Sequence, residues 1–175
     1  MSTTCTPESG TCQQCQGACQ RKPGWFKPGE AERAAKWMGL DLQEFFDRYL
    51  LVDWWDGSGD PDDGPLANTT FVLSPAIVGA TPGEEFGRNP RGTCVFYQHG
   101  RCTIHAVKPF ECRESWCGMD RTTGRGMHRE ATESWVDYQR EIAELLGRDP
   151  EQAGGWTILD ELGSMFDRLG GLFGS

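Results

Sequence analysis

The sequence predicts a small single domain of the α+β class, with several helices around a short antiparallel β-hairpin or sheet, organised by its cysteines. Three observations predict it. The chain has 175 residues, the length of one domain plus a tail, and enough to bury a core without covalent staples. Its clearest apolar periodicity is helical and comes in short capped segments, with β-type patterning confined to two stretches. Eight cysteines stand beside three histidines, and all but one of those cysteines fall into two groups.

The elements follow in order. Residues 1–10 read as a flexible tail. A polar, Cys- and Gln-rich stretch then closes at Pro23-Gly24. The first helix is expected from Glu30 to Met38, ended by Gly39, where a left-handed turn is easiest for a residue without a Cβ. Asp41 is the next N-cap, with Glu44 three residues on completing a capping box. Phe45, Phe46, Tyr49 and Leu50 give that second helix its apolar face. Residues 56–65, Asp-Gly-Ser-Gly-Asp-Pro-Asp-Asp-Gly-Pro, form an acidic loop. Pro61 and the missing bidentate Glu argue against a calcium loop of the EF-hand type.

Thr69 to Val78 is β-branched and apolar, broken by Ser74-Pro75, and reads as one strand with a bulge or at an edge. Residues 79–93 are loop. Cys94 to Tyr97 and Cys102 to His105 flank Gln98-His99-Gly100-Arg101, a hairpin signal with Gly in the turn. Thr132 to Leu146 forms a helix with Trp135, Tyr138, Ile142, Leu145 and Leu146 on one face, stopped at Gly147. His99, in the turn, and His128, in a Gly-rich loop, are expected in solvent. A last amphipathic segment runs from Thr157 to Leu169. The domain itself is placed at 11–147, with 148–175 a linker and amphipathic helix able to pack on the domain or dock a partner.

Charge and motifs exclude several functions. The chain carries 17 basic and 26 acidic side chains, a formal charge of −9, which argues against binding a phosphate backbone. No apolar run is long enough for a membrane span. The opening Met1-Ser-Thr-Thr-Cys5 lacks the basic and apolar regions of a secretory signal, so a cytoplasmic protein is expected, where structural disulfides are rare. A disulfide framework of eight cysteines usually serves a much shorter chain. Nothing resembles G-x-G-x-x-G, a P-loop, H-E-x-x-H or a Ser/His/Asp grouping.

The cysteines carry the chemistry. Cys12, Cys15 and Cys19 are spaced C-x2-C-x3-C, and Cys94, Cys102, Cys112 and Cys117 are spaced C-x7-C-x9-C-x4-C. Two thiolates two residues apart can wrap one soft cation, and a third one turn later adds a corner of a tetrahedron. The second group supplies candidates for the remaining corner. Thiolates select zinc or an iron–sulfur cluster over magnesium or calcium, and spacing alone accepts either. The seven cysteines exceed one four-thiolate site and fall short of two. His105, three residues after Cys102, and Cys5 in the tail are the further ligand candidates. A redox-active Cys12-Gln-Gln-Cys15 is disfavoured, because no strand pattern precedes it. Arg113 and Lys108, either side of Cys112 and Pro109, can offset the charge of a thiolate site, and Trp116 can shield it.

With these motifs in place, residues Cys12 to Cys117 resemble the YkgJ-type cysteine-cluster family, a zinc- or iron-chelating domain with a CxxCxxCC signature. The resemblance rests on Cys12-Gln-Gln-Cys15-Gln-Gly-Ala-Cys19, on Pro28-Gly29-Glu30 before the first helix, and on the block Gly92 to Arg113. That block looks like the family's "G-x-C-x-I-[YH] … [RK]-P-x-x-C-R" pattern. The first motif departs from it: Gln20 stands where the family has a second adjacent cysteine, and the spacing is one residue longer. The resemblance implies metal or cluster binding without a reaction. A related pattern occurs in flagellin lysine methylases that look cluster-dependent, which leaves open an iron–sulfur enzyme or accessory subunit. A zinc-structured module that docks a protein through its acidic, aromatic surface is the remaining alternative.

Overall fold

The chain reversal between Gly39 and Asp41 sets the first two helices together. In the computed structural model, which describes residues 17–55, 70–86, 90–115 and 119–149, α1 spans Glu30–Met38 and α2 spans Leu42–Tyr49. Gly39 adopts φ 74° and returns its N–H to the carbonyls of Ala35 and Lys36. The Asp41 side chain accepts the Glu44 N–H at 2.8 Å, and the Glu44 carboxylate accepts the Asp41 N–H at 3.4 Å. Both stop and start signals are therefore where local sequence puts them.

β1 (Leu50–Trp55) leaves α2 with no linker and pairs antiparallel with β2 (Thr70–Pro75), Val52 opposite Leu73. Leu50, expected on the apolar face of α2, instead opens this strand. Its partner lies across the acidic segment, so the pairing is non-local and local periodicity does not register it. All six residues of β2 are buried. The strand stops at Pro75, which has no N–H to continue a ladder, so it is shorter than the expected Thr69 to Val78. Beyond it, Ile77 makes an isolated bridge to Cys94.

The second sheet is a hairpin where one was expected, but shorter and tighter: β3 (Tyr97–Gln98) pairs with β4 (Arg101–Cys102). Gln98 and Arg101, expected in the turn, are thus strand residues, and His105, expected in the second strand, lies beyond it. His99 and Gly100 both have positive φ, 49° and 78°, the signature of the two-residue turn whose twist matches the strands. A 3₁₀ turn at His105–Val107 then leads to α3 (Phe110–Glu114).

The helix expected from Thr132 begins earlier. α4 runs Arg121–Trp135, followed by a 3₁₀ turn at Val136–Tyr138 and by α5, Gln139–Leu145. Gly124 and Gly126 make its first half a poor helix former, each costing about 1 kcal/mol against Ala, so the stretch reads as a loop. Asp120 nonetheless caps it, accepting the Thr123 N–H at 2.9 Å. His128 thus lies on a helix, not in a solvated loop.

α4 and α5 both pack on β2. The Gln139 amide accepts the Phe71 N–H and donates to the Phe71 carbonyl, each at 2.9 Å, closing part of the strand's open edge. The core holds Trp25, Phe26, Phe45, Phe46, Phe96 and Trp135, all fully or almost fully buried. Phe45 stacks on Phe96 with ring centroids 5.8 Å apart, and Trp135 donates its indole N–H to the Phe26 carbonyl at 2.6 Å. The molecule is a small single domain of the α+β class. The expected tail 1–10, the acidic loop 56–65 and the amphipathic segment from Thr157 to Leu169 lie outside the described residues. No helix among the described residues is long and apolar enough to cross a membrane.

Candidate metal centre

Backbone pairing brings the first cysteine group to the second. Cys19 closes a helical turn, and the strand-like segment after it runs antiparallel to residues 92–94. Gly92 donates to the Arg21 carbonyl at 3.0 Å and Cys94 donates to the Cys19 carbonyl at 2.8 Å. These two cysteines, distant in sequence, are therefore opposed residues. Cys102 joins from β4 across the hairpin, and Cys112 from α3, where the Glu111 N–H bonds the Trp25 carbonyl at 3.3 Å.

Gly24 shows how closely the last pair of segments approaches. A Cβ there would lie 2.8 Å from the Glu111 Cβ and 2.9 Å from both the backbone nitrogen and the Sγ of Cys112. Only a residue without a side chain lets the Cys112 thiol seat against this turn.

The thiols share a setting. Burial pushes Cys94 up to about 12, with Cys19 and Cys102 adding to the shift, while the N–H groups of Phe96 and Tyr97 point at its sulfur and pull the other way. Burial likewise pushes Cys112 well above the ordinary thiol range; Cys19 and Cys94 add to it, and the Gly24 N–H opposes it. Cys102 is raised by burial, against the Ile104 N–H and the Lys108 ammonium. Cys19, Cys94 and Cys112 are thus near enough to feel one another as charges. Backbone N–H groups aimed at three of the four sulfurs stabilise the thiolate forms that a soft cation needs.

No disulfide joins the described cysteines. Among the described residues, no group of three or more His, Cys, Asp or Glu is arranged to hold a metal ion. The donor set fits zinc or a cluster in kind, being thiols with N–H partners; it is partial, because Cys5, Cys12, Cys15 and Cys117 lie outside the described residues, as does Trp116.

The flanking cations divide. Lys108 is near enough to Cys102 for its charge to pull that thiol down. Arg113 instead donates to Glu30 at 2.9 Å and to Glu114 at 3.1 Å, so its guanidinium serves carboxylates on α1 and α3. Glu30 is buried and also accepts the Phe110 N–H at 2.8 Å, which ties α3 to α1. His105 sits exposed on its 3₁₀ turn, lowered from its ordinary value by burial and by Lys108.

Sequence reasoning missed a second polar cluster, which shares Gly24-Trp25 with the Cys112 seat. Glu111, almost fully buried, accepts the Trp25 N–H at 2.9 Å through Oε2 and bonds His128 Nδ1 through Oε1. The His128 ring meets Trp25 at a tilt, with centroids 4.7 Å apart, and stacks on Trp55 at 6.1 Å. Its Nε2 lies 3.4 Å from Lys22 Nζ. The buried Asp53 accepts the Trp25 indole N–H at 2.7 Å. The spacing of His128, Ala131, Thr132 and Trp135 was a helical signal that could have drawn His128 inward.

What the fold defines is a small α+β domain in which Cys19, Cys94 and Cys112, from three chain segments, lie near enough to interact as charges, with Cys102 near Cys94. Compared with known proteins, the chain matches no family model, no curated protein and no solved structure.

Proposed function

We propose that this chain binds a metal ion or an iron–sulfur cluster through its cysteines, as its resemblance to the YkgJ-type family implies. One observation carries the reading: Cys94 and Cys112 come from distant parts of the sequence into a desolvated setting with N–H donors at their sulfurs, and Cys19 is near enough to both to act on them as a charge. Thiols placed so are costly to ionise together, and a bound cation removes that cost. Cys12, Cys15, Cys102 and Cys117 are the candidates that complete the ligand set, with Lys108 offsetting charge. The all-thiolate donor set tilts the reading toward a [4Fe–4S] cluster over zinc. The bound group would hold the Cys19 turn, the hairpin and α3 together, and a cluster would add electron transfer.

Anaerobic purification followed by elemental analysis and visible spectroscopy tests this. Brown protein containing iron and acid-labile sulfide establishes a cluster. Colourless protein with stoichiometric zinc establishes the zinc form and removes the cluster. Protein with neither metal, purified without chelators, overturns the proposal. Cys94→Ser combined with Cys112→Ser should abolish binding.

A further inference from the structure

Glu111, His128 and Lys22 form a chain of three hydrogen-bonding groups that metal binding by the cysteines does not use. Glu111 fixes the tautomer of His128: its Oε1 faces Nδ1, so the ring proton lies there and Nε2 presents a lone pair. That lone pair faces Lys22 Nζ at 3.4 Å. The ammonium also lies 4.7 Å from the Trp25 ring centroid, and the His128 ring packs against both Trp25 and Trp55. Lys22 is half-buried, so its nitrogen is partly desolvated yet still reachable.

We propose that Lys22 is a reactive amine that condenses with small carbonyl compounds, using His128 as its proton acceptor and donor and Glu111 to orient the ring. The Lys22 ammonium gives one proton to His128 Nε2. The neutral amine then attacks the carbonyl carbon, forming a C–N bond, and the carbonyl oxygen becomes the hydroxyl of a carbinolamine. His128 returns its proton to that hydroxyl, the C–O bond breaks and water leaves. Ammonium plus aldehyde thus yields protonated imine plus water, with no change of oxidation state. The charged groups acting on Lys22 are Glu111, Asp53 and Arg91, with the His128 ring as its hydrogen-bond partner. Burial lowers the ammonium below the ordinary lysine value despite the pull of Glu111 and Asp53, and Arg91 adds to the lowering.

The chain has four lysines, Lys22, Lys27, Lys36 and Lys108, which makes the test clean. The full-length protein is treated at neutral pH with acetaldehyde and cyanoborohydride, which traps the imine, and each lysine is followed by peptide mass spectrometry. Lys22 is expected to be modified several-fold faster than Lys36, which is on the exposed face of α1. In His128→Asn the Lys22 rate should fall to that of Lys36, whose own rate calibrates the reagent, while an unchanged thermal melt of the variant reports an intact fold. Equal rates at Lys22 and Lys36 in the unaltered protein overturn the proposal. A Lys22 rate that survives His128→Asn overturns the role of the chain.

Discussion

At Gly24 the requirement is for absence. The Cys112 sulfur and backbone nitrogen, and the Glu111 Cβ, all stand within 3 Å of where a Cβ would be, so even a methyl must move α3. Gly24→Ala should cost about 1–3 kcal/mol of stability, as overpacking does, and should lower metal content along with it. Thermal melting and elemental analysis of the same sample check both. Trp25, next in sequence, shows the opposite economy. Its ring is wholly buried, yet its indole N–H reaches Asp53 and its backbone N–H reaches Glu111, so a large apolar body is buried with no polar group left over. Asp53 and Glu111 are buried carboxylates whose oxygens are occupied by these donors, which is why strand and helix interiors tolerate them here.

Among the elements, α4 is the least self-sufficient. Two glycines weaken its first half, and its start depends on Asp120, whose carboxylate accepts from the Thr123 N–H and hydroxyl at 2.9 and 2.6 Å. Those bonds hold the Asp120 carboxyl below its ordinary value of 3.8. The native state therefore binds this proton less readily than the unfolded chain. The cap's contribution is complete above about pH 4 and is lost as pH falls through the lowered value. Asp120→Asn keeps a capping side chain and should remove this part of the acid sensitivity below about pH 4. Urea unfolding at a series of acidic pH values reads the difference; identical acid limbs would show that the cap does not hold α4. The hairpin has a different dependence. Its register, Tyr97 opposite Cys102, hangs on positive φ at His99 and Gly100, and through that register the turn positions a candidate ligand.

For the whole molecule, the described cysteines stand where separate segments meet, tied by backbone bonds from Cys94 to Cys19 and from Glu111 to Trp25. Cys19 lies before the core, Cys94 beside β2 through its bridge to Ile77, and Cys112 on α3. If the proposed metal or cluster is bound at this junction, its removal should loosen the Cys19 turn and α3 before the β1–β2 core. Chelator-treated protein should lose melting temperature by several degrees, with hydrogen exchange rising first at residues 19–24 and 110–114. Uniform loss across all elements would place the bound group elsewhere.

How much of this was legible follows from the range of each interaction. The α1 stop at Gly39, the Asp41–Glu44 capping box and the His99-Gly100 turn depend on residues within a few positions, so sequence alone determined them. Phe45 and Phe46 on α2, and Trp135, Ile142 and Leu145 further on, were likewise readable as periodicity, whereas Tyr138, expected on the same face, is exposed because the 3₁₀ turn at Val136–Tyr138 interrupts the helix. The sequence also grouped the cysteines and set the acidic charge that argues against nucleic acid. Only the tertiary structure decided that Leu50–Trp55 is a strand, because its partner is a distant segment. The same holds for the pairing of Cys19 with Cys94, the placing of Arg113 on Glu30 and the joining of His128 to Glu111. Each of these is settled by a contact across 15 or more positions of sequence, and the free energy of such contacts resides in packing and desolvation, which local pattern does not encode.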